Sequence, residues 1–354
     1  MENAILEKRK ALKPLGTHTA VGRLHELDKW KDVPYLKDNN GMLPPFIIAV
    51  GSRERVKKAP DILQIKDPAF IDEIALEIAG LDAYGRVTLL VGVVKGRIEF
   101  PLAIVETQMG CPATQINLKE ILYFTRDDGY SWNKKEIKTS GIYVVRAGTA
   151  GGVNSRSSNN FAMSIGDIAI GTESYGSIGA ILQSELSILD FASVNAMERV
   201  GRCIKDVIRN PLYASHDRKH FKTLASVDLF CHLKAAAEEL KLNAIAGPNF
   251  TKDSLYAEMG EEKFAELRNA YGIISTEMEQ MIIDVVAAEF REKGIYVGSG
   301  LVSAIIGAIP GKSFPETENE KRAAKEAEAN TLRLAAKAFE RIAQNLSPVE
   351  SNHK

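Results

Sequence analysis

Cysteine is scarce in this chain of 354 residues: Cys111, Cys203 and Cys231 stand far apart in no metal-ligand pattern, which fits a reducing compartment. No apolar run approaches the roughly 20 residues that span a bilayer. The first residues are charged and lack the apolar core of a secretory signal. Neither sign of charge dominates, with 45 basic against 46 acidic residues and a formal net charge of -1. No basic surplus therefore points to nucleic acid or an anionic membrane as a partner. Internal repeats and low-complexity tracts are missing as well. The expectation is a soluble, cytoplasmic protein.

What is present is ordinary globular material, 45% hydrophobic and 26% charged, in a chain long enough to bury a full core. Residues 1–45 are polar, contain Pro14, Pro34, Pro44 and Pro45, and read as an irregular arm carrying His18, His25 and Trp30. The continuous apolar run 46–50 has the character of a buried strand. Helical spacing follows at 71–79, then a strand hairpin over 86–94 and 98–105 turning at Lys95-Gly96-Arg97. A helix is expected from Pro112 through Leu122, and residues 126–140 read as a polar surface insertion. Strands are expected at 168–170, 243–246 and 295–306, and helices at 219–242, 261–271, from 276 and over about 316–346. Residues 172–211 mix apolar clusters with glycine and serine and resist assignment. Strands and helices alternate without a compositional break. This predicts one α/β domain over 46–346, with an arm at 1–45 and a polar tail at 347–354.

The most informative stretch is Val144-Val145-Arg146-Ala147-Gly148-Thr149-Ala150-Gly151-Gly152. A β-branched run drives into what reads as a turn with one arginine, one threonine and several glycines. Small residues allow close backbone approach. Arginine adds forked donors for an oxyanion and threonine a hydroxyl. Val50-Gly51-Ser52-Arg53-Glu54-Arg55 repeats the theme of a strand running into glycine and then arginine, so the two turns together favour a shared anion site. Glu277 and Glu279 are two residues apart, so on a helix they point apart and are not the facing carboxylates of a glycoside hydrolase.

The ordered set of turns resembles the nucleoside phosphorylase-I family, and within it the uridine phosphorylases. The resemblance covers 46–346. It rests on Val50 to Arg55, Thr107-Gln108-Met109-Gly110-Cys111-Pro112, Arg146 to Gly151, Gly166-Asp167-Ile168 and Glu277-Met278-Glu279, in the family's order. It implies a single-domain three-layer α/β/α fold around a central mixed sheet, and reversible phosphorolysis of a nucleoside to free base and ribose 1-phosphate, with no metal and no organic cofactor. It implies that Gly51, Arg55, Arg146 and Thr149 hold phosphate, joined by an arginine of a neighbouring subunit for which Arg86 is the loose match. Glu279, with Met278 beside it, would bind the ribose hydroxyls, and His25 of a neighbouring arm would reach the 5′-hydroxyl. Ala150 and Gly151 would lie against the base. A homodimer with shared active sites, taking nucleoside and phosphate, is the implied assembly.

The base-reading signature departs from the family. Uridine phosphorylases carry a glutamine and an arginine after an aromatic–tyrosine pair; counted from Tyr256, those places hold Met259 and Glu261, and Leu255 replaces the aromatic. Purine phosphorylases of the family use an aspartate at the end of the late strand, a place that holds Ala304. The missing aspartate and the polar insertion favour uridine. A purine phosphorylase, a nucleosidase of the same fold and a non-catalytic nucleoside-binding relative stand as alternatives.

Overall fold

The computed structural model describes residues 13, 18–79, 87–132, 135–154, 163–176, 221–252, 261–309 and 314–346. The fold starts from strand β1 (Phe46–Val50), buried along its whole length as its apolar run requires. It lies parallel between β4 (Glu99–Glu106) and β7 (Ile142–Val153). Beyond β4 the sheet continues antiparallel through β3 (Leu89–Lys95) to β2 (Ile65–Phe70). On the other side β7 pairs in parallel with the long β12 (Val297–Ile309), which runs antiparallel to β8 (Ile168–Gly176). Strands β10 (Ala244–Thr251) and β11 (Ser275–Glu277) follow in parallel, and β11 returns antiparallel onto β7 at Gly151 and Gly152. That last pairing curls half of the sheet into a closed loop of strands around the end of β7.

Alternation along the strands builds a core on each face. Ile47, Ala49, Ile142 and Val144 face one cluster, covered by α1 (Ala20–Glu26), α2 (Pro34–Asp38), α4 (Ile71–Ala79), α5 (Cys111–Tyr123) and α8 (Gln280–Glu292). Phe46, Ile48, Val50, Tyr143 and Val145 face the other, covered by α3 (Arg53–Leu63), α6 (Val227–Glu239) and α9 (Glu318–Gln344). Helix α9 opens with a capping box between Thr317 and Glu320. A smaller cluster sets Phe264 and Leu267 of α7 (Glu261–Tyr271) against Val153 and Phe250. The expected three-layer arrangement, hairpin and most helices are present.

Several local expectations are corrected. Residues 18–45 are not an irregular arm. They fold as α1 and α2 and bury Val21, Leu24, Val33, Leu36 and Leu43, while the buried Glu120 accepts the His18 and Thr19 N–H groups at 2.7 and 3.1 Å. Proline masked this: Pro34 sits in the first turn of α2, where its missing N–H is harmless. The stretch 144–152 is not a turn, because β12 pairs with β7 along its full length and holds it extended to Val153. No helix opens at 276; Ser275–Glu277 is a strand and α8 begins after Glu279. Residues Phe221–Leu224 form strand β9 beside β8 rather than a helix start. The polar insertion contains a separate hairpin, β5 (Gly129–Trp132) with β6 (Lys135–Lys138), whose Tyr130 reaches the core. Strand β2 escaped notice because only its first residue is buried.

The join between α8 and β9 carries a titration. Asp284 is fully enclosed and accepts Thr223 Oγ1 at 2.6 Å and Gln280 Nε2 at 2.7 Å. Burial pushes its carboxyl up to about 7 against these hydrogen bonds. The native state thus keeps a proton that the unfolded chain releases above about pH 4, so this contribution is full below about 4 and is lost as pH rises toward 7. Asp284→Asn is expected to flatten that slope: the urea midpoint of the wild type should fall more steeply between those pH values than the variant's. Equal slopes would contradict the assignment.

Candidate active site

Strand β1 ends next to Arg146 of the parallel β7, Ala49 pairing with Arg146, at the carboxyl end of the strand where open α/β sheets bind ligands. Val50 leads through Gly51 into α3, placing Arg55 in that helix's first turn. Arg55 Nη2 donates to Thr149 Oγ1 at 3.3 Å and lies 3.6 Å from Glu328 Oε1 on α9. Arg146, on β7, curls back against the backbone: Nη1 donates to the Ala147 carbonyl at 3.2 Å and Nη2 to Glu279 Oε2 at 2.7 Å. Gly51 and Gly148 make room for it. A Cβ on Gly148 would lie 2.9 Å from Nη1, and one on Gly51 3.2 Å from Nη2. The Arg146 Nε–H is buried and finds no acceptor among the described residues. Gly51, Arg55, Arg146, Thr149 and Glu279, drawn from three segments of the chain, therefore meet in one place.

Glu279 is held from both sides. Its Oε1 accepts the Gly110 N–H at 2.9 Å, from a backbone with φ 88, a conformation that suits glycine. Cys111 Sγ donates to the Met278 carbonyl at 3.2 Å and ties the same segment to α5. Below it Glu277 Oε2 accepts the N–H groups of Glu279 and Gln280 at 2.7 and 2.8 Å. Glu277 Oε1 meets Asn249 Nδ2 at 2.7 Å and Thr251 Oγ1 at 2.6 Å on β10. The two carboxyls are driven apart. Burial and then the Glu279 charge push Glu277 up. Burial pushes Glu279 up too, but the Arg146 guanidinium and the Gly110 N–H outweigh it and hold Glu279 below the usual carboxylate range. Burial draws Arg55 down, against the Glu328 carboxylate, which draws it up. The result is a pair of guanidiniums, one buried against the Glu279 carboxylate and the other beside the carboxylate of Glu328.

The remaining expected site residues are placed as follows. The His25 ring meets the Gly41 carbonyl oxygen through Nε2 at 2.7 Å and stacks on Phe124 at 4.1 Å, within its own chain. Burial draws its pKa down, against the Gly41 carbonyl. The Ala150 methyl is packed among Met163, Ala169, Ile274 and Ile305, which leaves Gly151 as the partly exposed member of that pair. Ala304 pairs with Thr149 in the register of β12 and β7. Met278 is half-buried beside Gly110. Arg86, Leu255 and Met259 lie outside the described residues. Sequence reasoning left unassigned Gly148, Gly110 and Cys111, all inside the quoted motifs, and Glu277, whose partner strand no spacing rule reveals. It gave Glu328 no role; nothing in the pattern of α9 marks that residue. Among the described residues no group of three or more His, Cys, Asp or Glu comes together as a metal site would require, and no helix is long and apolar enough to cross a membrane.

Because Arg146 and Glu279 are buried together, removing one strands the other. Arg146→Met or Glu279→Leu alone should each cost about 3–5 kcal/mol in stability, while the double replacement should cost clearly less than their sum. Denaturant unfolding of the set measures the coupling, and strict additivity would show that the pair is not a unit.

No protein-family model matches the chain, and no curated protein matches it. Solved structures do. A uridine phosphorylase from Vibrio fischeri ES114, complexed with 6-hydroxy-1-naphthoic acid, has TM-score 0.56 at 16% sequence identity, covering 87% of this chain and 96% of its own. One of two diverse uridine phosphorylases studied in the oomycete Phytophthora capsici has TM-score 0.55 at 17% identity, covering 83% and 90%. At such identity the likeness is one of fold, and the fold of this chain is that of these uridine phosphorylases.

Proposed function

We propose that the protein is a nucleoside phosphorylase, acting on uridine, that cleaves the N-glycosidic bond with phosphate to give free base and ribose 1-phosphate. The observation that carries this reading is the 2.7 Å contact between Arg146 Nη2 and Glu279 Oε2. It sets an oxyanion donor directly beside a carboxylate suited to sugar hydroxyls. Phosphate would take Arg55, Arg146 and Thr149, with Gly51 admitting it close to the backbone, and the unspent Nε–H of Arg146 adds a donor. Glu279 would hold the ribose hydroxyls and favour the positive charge that grows on the sugar. A phosphate oxygen then bonds to C1′ as the C–N bond breaks; the departing base takes the electron pair and, overall, the proton that hydrogen phosphate gives up on becoming the ester. Aligning the two reactants in a water-poor site supplies much of the acceleration.

The rest of the reading follows from the same resemblance. Gly151, with Ala150 behind it, would border the base, and Leu255 and Met259 would complete the base-binding set. Arg86 and His25 would serve a neighbouring subunit in a homodimer with shared sites, Arg86 at the phosphate and His25 at the 5′-hydroxyl. The chemistry needs no metal or organic cofactor, and the enzyme would work in the cytoplasm. Uracil is preferred over purine because Ala304, where the purine enzymes carry an aspartate, has no proton to give.

The test is to incubate the protein with uridine, inosine or adenosine, with and without phosphate, and identify the sugar product. Ribose 1-phosphate formed from uridine only when phosphate is present is the expected result, and free ribose without phosphate would contradict it. Arg146→Ala, assayed below the melting temperature that its own unfolding curve gives because it leaves Glu279 without its cation, should lower turnover by about 10²–10³-fold or more. Near-wild-type activity would refute the phosphate assignment.

A further inference from the structure

Glu328 is a carboxylate set against the anion-binding face of the candidate site. It projects from α9, whose neighbouring residues Ala327, Thr331 and Leu332 are buried, so the helix is anchored on either side of it. Thr331 Oγ1 donates to the Glu328 backbone carbonyl at 2.7 Å. Glu328 Oε1 stands 3.6 Å from the same Arg55 Nη2 that reaches Thr149 at 3.3 Å. An anion that engages Arg55 through this nitrogen must therefore sit beside the carboxylate or displace it.

We propose that Glu328 makes this site selective for oxyanions that still carry a proton, accepting a hydrogen bond from the P–OH of hydrogen phosphate and repelling fully ionised anions such as sulfate. The inference rests on the reading of Arg55, Arg146 and Thr149 as a phosphate cradle. An ionised carboxylate can only accept hydrogen bonds. Hydrogen phosphate has one O–H to offer; sulfate near neutral pH has none. With sulfate in the cradle two negative oxygens would face each other with no hydrogen between them. With hydrogen phosphate the same contact becomes a charge-assisted hydrogen bond. Selectivity here comes from an element that penalises the wrong ligand. A cradle built only to collect anions has no use for a carboxylate at its edge, whereas one that must admit phosphate among other anions does.

The test is calorimetric titration of inorganic phosphate and of sulfate into the wild type, Glu328→Gln, Glu328→Ala and Arg146→Ala, with melting curves to confirm that each variant is folded. The wild type should favour phosphate by about tenfold or more, the scale of one unmatched polar contact. Both Glu328 variants should shrink that preference severalfold. Glu328→Gln should do so mainly by binding sulfate better, because its amide can donate. Glu328→Ala should follow, which separates loss of the carboxylate from the amide's new donor. An unchanged phosphate-to-sulfate ratio, with Arg146→Ala losing both anions, would overturn the inference and leave the cradle standing. Equal tightening of both anions would mean that Glu328 merely competes for Arg55, and would overturn it also. Failure of the wild type to bind either anion would remove the cradle and the inference together.

Discussion

The candidate site depends on one buried ion pair, Arg146 with Glu279. Neither group could be sunk alone at the end of a sheet; an isolated charge there would cost several kcal/mol, about the size of a small domain's whole margin of stability. Together, and with their remaining atoms served by backbone groups, they are tolerable. Arg146 uses the Ala147 carbonyl, Glu279 the Gly110 N–H, and two glycines are spent on leaving the guanidinium enough room. The pair thus dictates sequence at Gly110 and Gly148, which have no part in the proposed ligand contacts. It also unites segments that are far apart in the chain, since Gly110, Arg146 and Glu279 sit on separate elements.

The sheet explains how those segments arrive together. Parallel β1 and β7 deliver Gly51 and Arg146 to the same edge. The closing pairing of β11 on β7 brings Glu277 and the start of α8 back over it. Glu277 then joins β10 to the backbone of Glu279 through four hydrogen bonds, so the carboxylate that faces the site stands on a second that does not. Their opposed pKa directions follow from this division: Glu279 has the cation, and Glu277 has burial and a like charge for a neighbour. The acidic pair is therefore one group that faces Arg146 in the candidate site and one that positions it, rather than a matched acid and base.

Most of the scaffold was legible in the chain because burial writes itself as apolar periodicity. The run at 46–50, the long late strand and the final helix follow directly from it. Arg55, Arg146, Thr149 and Glu279 were recognisable from their motifs, and the structure does bring them together. What escaped has physical reasons. Glycines in 144–152 read as a turn, yet they serve close packing inside a paired strand, and spacing alone cannot separate those uses. The N-terminal region looked unstructured because its buried residues are few and punctuated by proline. Glu328 lies on a helix rich in Ala, Glu, Lys and Arg, where a glutamate at the site and a solvated one look alike. Its role exists only through the packing of α9 beside α3.

The most direct measurement of the central claim is a crystal structure of the protein with phosphate and uridine bound. The account predicts phosphate among Arg55, Arg146 and Thr149, and the ribose 2′- and 3′-hydroxyls on Glu279, with a phosphate oxygen facing C1′. An anion bound elsewhere, or a sugar that makes no contact with Glu279, would contradict it.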